Sequence, residues 1–284
     1  MSERTGPTVV QSLREYARGI AGGLMFSLPL LYTMEVWWTG FIAGPIRLLI
    51  YLATTFILLL GYNSYAGMHE DSSWAEVMID SVEEMGIGLL VSGILLFLLG
   101  RISPEMQLGE VIGKIVIEAM TVAIGISVGT SQLGIQGEEK NAAPGEGSRS
   151  LQEDLRFGGQ LVIAGCGAML FGANVAPTEE VVVIATEISA AQLLALMLLS
   201  LLFTALILYY IEFAGSERFV RRNGITSVVI GTVASYAVAL LTAAAVLWFF
   251  GRFDQVGIFI AVAQTVVLGV ATTLGASAGR LLVQ

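Results

Sequence analysis

Eight stretches of the chain, at about 20–41, 45–66, 82–101, 111–133, 160–186, 191–213, 225–250 and 256–280, are apolar for roughly the 20 residues that a helix needs to cross a hydrocarbon core. Nothing else in the sequence restricts the fold as strongly. In lipid a spanning segment must satisfy its own backbone polar groups, so runs of this length form helices. The expected fold class is therefore all-α, a polytopic membrane protein of eight transmembrane helices. The charged fraction agrees, at 13% of the residues, about half the soluble average. The first run continues into a full span and reads as a retained helix rather than a cleaved signal.

Several functions are excluded by what is scarce. A single cysteine, Cys166, forms no internal disulfide and no thiolate metal cluster, and a single histidine, His69, leaves no His-based zinc site or Ser-His-Asp triad. A formal net charge of −9 argues against nucleic acid as a partner. No nucleophile–base set or cofactor motif is present, so neither an enzyme nor a cofactor is expected. The expected surroundings are the lipid bilayer, in the inner (plasma) membrane. Orientation follows from lysine and arginine alone. With the N-terminus inside, ten lie on the cytoplasmic side (Arg4, Arg14, Arg18, Lys140, Arg149, Arg156, Arg218, Arg221, Arg222, Arg280) and four outside (Arg47, Arg101, Lys114, Arg252). Both termini are then cytoplasmic, which requires an even number of spans.

The spans also repeat. "FSLPLLYTMEV" (26–36) and "FGANVAPTEEV" (171–181) share Phe26/Phe171, Thr33/Thr178, Glu35/Glu180 and Val36/Val181. "GKIVIEAMTVAIG" (113–125) matches "GIFIAVAQTVVLG" (257–269), the third and seventh runs both close on Gly-Arg, and the second and sixth end "YNSYAG" and "YIEFAG". Two lead-ins, "SLREYAR" (12–18) and "SLQEDLR" (150–156), carry a Ser-x-x-Glu capping box expected to start a helix. The expected organisation is a duplicated 4+4 unit: a first repeat over 1–135 with an amphipathic lead-in, a polar cytoplasmic linker at 136–149, and a second repeat over 150–284. Units with an even number of spans lie parallel, related by a pseudo-twofold axis along the membrane normal. The first and fifth spans are expected near that axis. Glycines in small-xxx-small spacing, such as Gly125 and Gly129, allow close helix approach.

The candidate chemistry lies in the first of these pairs. An ionised side chain at the middle of a span costs about 3 kcal/mol, so Glu35 and Glu180 need compensation. Each is near a proline, Pro29 or Pro177, that leaves a helix carbonyl without its partner, those of Met25 and Ala173. Carboxylates with Thr33, Thr178, Asn174 and free carbonyls make an all-oxygen set suited to a hard cation or a proton. Glu179, opposite Met34 in the repeat, reads as a cavity or interface residue. Glu118 is expected to pair with Lys114 one turn earlier and is a further site candidate; its counterpart is Val262. The acidic stretch ending at Glu83 and Glu84 is expected before the third helix as an inner vestibule, with Glu84 inside the span where the seventh helix has Ser235. Two functions fit: a cation or proton-coupled transporter or channel, or a non-transporting scaffold or partner-binding subunit whose carboxylates lock helices together.

The stretch "LMFSLPLLYTMEVWWTGF" (24–41) resembles a bacterial family of eight-helix integral membrane proteins of unassigned activity. That resemblance implies fold and location and no mechanism. "GANVAPTEEVV" (172–182) is similar to the small-x-x-Ala-Pro-Glu repeat motif of calcium/cation antiporters. It departs from that motif in the threonine between Pro177 and the first glutamate, and those antiporters use inverted five-helix repeats. The similarity implies convergence on one ligand chemistry.

Overall fold

The computed structural model describes residues 9–66, 73–134, 149–215 and 220–282. The linker expected at 136–149 lies, apart from Arg149, outside them, as do residues 218 and 219. Ten helices follow in order: α1 (Val9–Leu31), α2 (Met34–Ile42), α3 (Pro45–Ala66), α4 (Trp74–Leu98), α5 (Leu108–Gly134), α6 (Arg149–Val175), α7 (Glu179–Glu187), α8 (Ala190–Gly215), α9 (Val220–Phe249) and α10 (Ile258–Leu282). Among the described residues seven are long and apolar enough to cross a membrane, and α1 with α2, read as one bent span, makes an eighth.

Two expected spans are broken. The first does not run through to residue 41, because α2 leaves α1 at 86°. The fifth stops at Val175, and α7 begins afresh at Glu179. Proline alone does not end α1, which continues two residues past Pro29. The stop comes at Thr33, whose hydroxyl donates to the Pro29 carbonyl at 2.7 Å while its own amide bonds to Leu30. A continuous helix would have used that amide for Pro29. Thr178 does likewise, donating hydroxyl and amide to Val175 at 2.8 and 3.1 Å. In both cases a threonine hydroxyl satisfies a terminal carbonyl, and the next helix starts with that threonine as its extended N-cap.

Other ends follow local rules. Pro45 opens α3 at the position where a missing N–H costs nothing. The expected acidic vestibule before the third span is largely helix. Ser73 forms a capping box with Glu76 and starts α4 at Trp74, so Glu76, Asp80, Glu83 and Glu84 lie on its first three turns. Of the two capping boxes expected at the lead-ins, Ser12 lies three residues inside α1, and Ser150 falls one residue after the start of α6. The Gly-Arg endings of α4 and α9 have one geometry. Gly100 (φ 68°) and Gly251 (φ 70°) are left-handed. Their amides bond three residues back, and the arginine amides bond five back, to Leu96 and Leu247. These are Schellman caps, which glycine forms without the Cβ penalty. Gly100→Val and Gly251→Val should each lower stability by about 1–2 kcal/mol, read as a fall in melting midpoint in detergent.

The protein is organised around α5. Within the apolar windows of the candidate spans, 83% of α5 is buried, against 56% for α6 and 17% for α8. Helices α1, α2, α3, α4 and α6 all pack on α5. The fourth apolar run is thus the most buried of the seven continuous candidate spans among the described residues. Glycines set the closest approaches. A Cβ on Gly22 of α1 would stand 2.6 Å from the Gly125 carbonyl and 2.7 Å from the Gly129 Cα of α5. On the other side of the molecule Gly167 of α6 meets Gly275 and Gly279 of α10 in the same way. Here the small residues read from the sequence do bring backbones together.

Candidate functional site

The glutamates after the two breaks are first-turn residues of nine-residue helices, Glu35 in α2 and Glu179 and Glu180 in α7. A carboxylate there faces the positive end of the helix dipole, which accounts for charge beside a helix break. Glu35 is half-buried, and Glu179 and Glu180 are exposed. Thr33 and Thr178 have committed their hydroxyl hydrogens backwards, as described above. Asn174 ties α6 to α1, donating to the Phe26 carbonyl at 3.0 Å and to Leu170 at 2.5 Å, while its buried Oδ1 has no partner.

The Gly-Arg arginines reach the breaks. The Arg101 guanidinium lies 4.5 Å above the Trp37 ring of α2, and Arg252 donates to the Pro177 carbonyl. Arg47 at the start of α3 meets Asp254 after α9 at 3.0 Å and lies 5.7 Å over Trp248. Because the two charged side chains are 33% and 56% exposed, a double-mutant cycle on Arg47 and Asp254 should return no more than about 1 kcal/mol of coupling.

The enclosed carboxylate is Glu118, at the centre of α5. It is 0% exposed, and neither carboxyl oxygen has a hydrogen-bond partner. The expected pairing with Lys114 does not form. Lys114 turns the other way along the helix to Glu110 at 2.6 Å, and also donates to the Arg101 carbonyl at 3.1 Å and to the Met106 sulfur at 3.6 Å. The reason is that Glu110 lies in the first turn beside the α4–α5 loop, where the ammonium meets a carboxylate and a loop carbonyl together. Next to Glu118 in sequence, the Ile117 carbonyl accepts the Tyr51 hydroxyl of α3 at 3.2 Å, and Tyr51 stacks on Phe249 of α9 with centroids 4.1 Å apart. One apolar cluster holds Ile117 and Tyr51 together with Leu30 and Val36 around the first break and Ala176 and Val181 around the second.

A second carboxylate, Glu84 of α4, sits in a polar knot of three helices. Asn63 of α3 donates to Glu84 at 2.7 Å and to Ser81 at 3.1 Å, and accepts from Ser127 of α5 at 2.8 Å. Asn63, Ser81 and Ser127 are buried and were not singled out from the sequence. Their signal was there, as polar residues recurring on one helical face, Ser81, Glu84 and Ser92 on α4. Gln264 of α10 was also missed; it is fully buried with both amide atoms unpartnered. Among the described residues no three His, Cys, Asp or Glu side chains converge to hold a metal.

Against this geometry stand the comparisons with known proteins. A family model described as "Putative integral membrane protein (DUF2391)" matches residues 15–283. No curated protein and no solved structure matches the chain.

Proposed function

The chain belongs to the DUF2391 family of integral membrane proteins, and on that premise we propose that it is a proton-coupled transporter or channel with Glu118 as its central protonation site. The observation that carries this reading is the complete burial of Glu118 with no protein hydrogen-bond donor on either carboxyl oxygen. A carboxylate in that setting needs a proton or a hard cation as compensation, and intramembrane carboxylates of this kind mark proton and ion pathways. Among the described residues no group of three His, Cys, Asp or Glu side chains forms a metal site, and the proton is the simpler compensation. Glu35, Glu179 and Glu180, partly or fully exposed after the two breaks, are suited to the mouth of the path, with Thr33, Thr178 and Asn174 shaping the broken helices there.

The same reading includes a duplicated 4+4 architecture, which the order of the helices supports. Each half runs as a long helix, a nine-residue helix and three long helices, with the same glycine-capped end and the same long-helix pairs in contact, α1 with α5 and α6 with α10. The excess of Lys and Arg on one side favours both termini in the cytoplasm of a cell with this protein in its plasma membrane. The test is proton flux into proteoliposomes under an imposed pH gradient, followed by a trapped pH dye. Flux above protein-free vesicles is expected. Its absence would leave the scaffold, in which buried polar groups only fix helix positions.

A further inference from the structure

We infer that the junction of α8, α9 and α10 is a binding site for water, held by four buried hydroxyls: Thr232 and Tyr236 of α9, and Thr273 and Ser277 of α10. It shares no residue with the Glu118 site. Nor does it depend on proton coupling, since a scaffold would hold the same water.

The four hydroxyls converge because α9 and α10 form an antiparallel hairpin through the turn at 250–257. A Cβ on Gly269 of α10 would lie 2.8 Å from Leu240 Cδ2 of α9, which sets the register of the two helices. Four residues further from the turn on each helix come Tyr236 and Thr273, and four beyond those Thr232 and Ser277. Side chains four apart form the ridges along which helices pack, so both rows run along the joint. Helix α8 closes it. Leu193 of α8 shares an apolar cluster with Ala263 and Val266 of α10. Thr204 follows Leu193 by eleven residues, Thr273 follows Ala263 by ten, and Ser277 follows Val266 by eleven. Helices α8 and α10 run the same way, so all three lie about 15 Å beyond that cluster at 1.5 Å per residue. Thr204 is buried as well.

None of the four is more than 7% exposed, and among the described residues none of their hydroxyls has a hydrogen-bond partner. Nearby threonines show the usual solution. Thr204 and Thr265 donate to the carbonyl four residues back at 2.8 Å, and Thr272 reaches the Leu268 carbonyl at 3.3 Å. Thr232, Thr273 and Ser277 leave that option unused, and a tyrosine hydroxyl stands too far from its own backbone to have it. Native structures bond nearly all buried hydroxyls to protein or to water, because a bare one is destabilising.

The chemistry of the set selects the ligand. Each hydroxyl carries one donor hydrogen and two acceptor lone pairs, so the ligand must both give and accept. Among the described side chains of α8, α9 and α10 none is charged, and an ion here would be uncompensated. Water meets both conditions, and a buried water needs about two to four polar partners. Thr204, whose hydrogen is committed to Ser200, keeps its oxygen as a further acceptor. Water bridging these groups ties α9 to α10 nearly as well as a direct hydrogen bond would.

Two readouts test the site. In X-ray radiolysis of the wild type in detergent, hydroxyl radicals form from water where it is bound and oxidise the side chains beside it. Tyr236 should be oxidised faster than Tyr51, which is equally buried but has its hydroxyl on the Ile117 carbonyl. The second readout is the melting midpoint of Thr232→Val, Tyr236→Phe, Thr273→Val and Ser277→Ala, each of which removes a hydroxyl with little change in shape. With water bound, each should lose about 2–4 °C, the loss of one net hydrogen bond. In a dry joint the same changes remove an unpaired polar group, and the midpoints should rise. Oxidation of Tyr236 no faster than that of Tyr51 overturns the site whatever the midpoints do, and so does a rise in all four midpoints. Where a variant fails to fold, radiolysis of the wild type still decides. Neither readout involves flux, so this site and the proton reading fail separately.

Discussion

Glu118→Gln is expected to abolish proton flux, a loss of about a hundredfold or more, while leaving the protein folded. Glutamine keeps the volume and planar shape of the side chain and cannot titrate. The usual objection to mutating a buried acid is that it strands a partner. Here none is stranded, because both carboxyl oxygens are unpartnered and Lys114 is held by Glu110 and a loop carbonyl. Replacing an uncompensated buried acid with a neutral group is commonly neutral or stabilising, so the melting midpoint in detergent should be unchanged or higher. Flux assays on matched vesicles decide the point. An unaltered rate in Glu118→Gln would remove the central site, whatever the other variants do.

Large structural effects are expected at the close-packed glycines, Gly22 among them. Gly22→Val would place a branched side chain where a single Cβ already comes within 2.7 Å of the α5 backbone at Gly125 and Gly129. Backbone cannot rotate aside as a side chain can, so α1 must separate from α5, at about 3 kcal/mol or more. Gly167→Val should act alike on α6 and α10. The contrast is with Gly86 and Gly109, which also lie in helices but have no atom within 4 Å of a built Cβ. Gly86→Val and Gly109→Val should be close to neutral. Size-exclusion profiles after mild heating will show the difference, and equal losses at all four sites would mean that glycine content, not close packing, limits stability.

Much of the fold could be read from the residues in order. Pro45 starts α3, and Gly100 and Gly251 end α4 and α9, because these rules depend on dihedral freedom and on hydrogen bonds within a few residues. The likeness of 26–36 to 171–181 drew attention to both Pro–Thr segments, and both are breaks. Their meaning was less legible. A hydropathy window averages over Leu31–Met34, whereas the chain turns there because a threonine hydroxyl takes a carbonyl that the helix would have used. The start of α4 was placed too late for a similar reason. A run of acids looks like solvated loop, yet the capping box at Ser73 carries them onto a helix.

The candidate site shows where sequence stops. From the residues alone, Glu35 and Glu180 seemed the carboxylates most in need of compensation, and Glu118 was provided for by a lysine four residues away. The folded protein reverses that ranking, leaving Glu180 exposed and Glu118 enclosed. By itself the sequence determined that the chain is a bundle of membrane helices, where most of them begin and end, and which segments could bear charge in lipid. Those properties belong to the chain within one or two helical turns. Tertiary structure alone decided which carboxylate is enclosed without partners and which are left exposed. Burial of α5 comes from five helices closing around it, and the hydrogen bonds available to a side chain depend on neighbours from other helices, which local pattern does not contain.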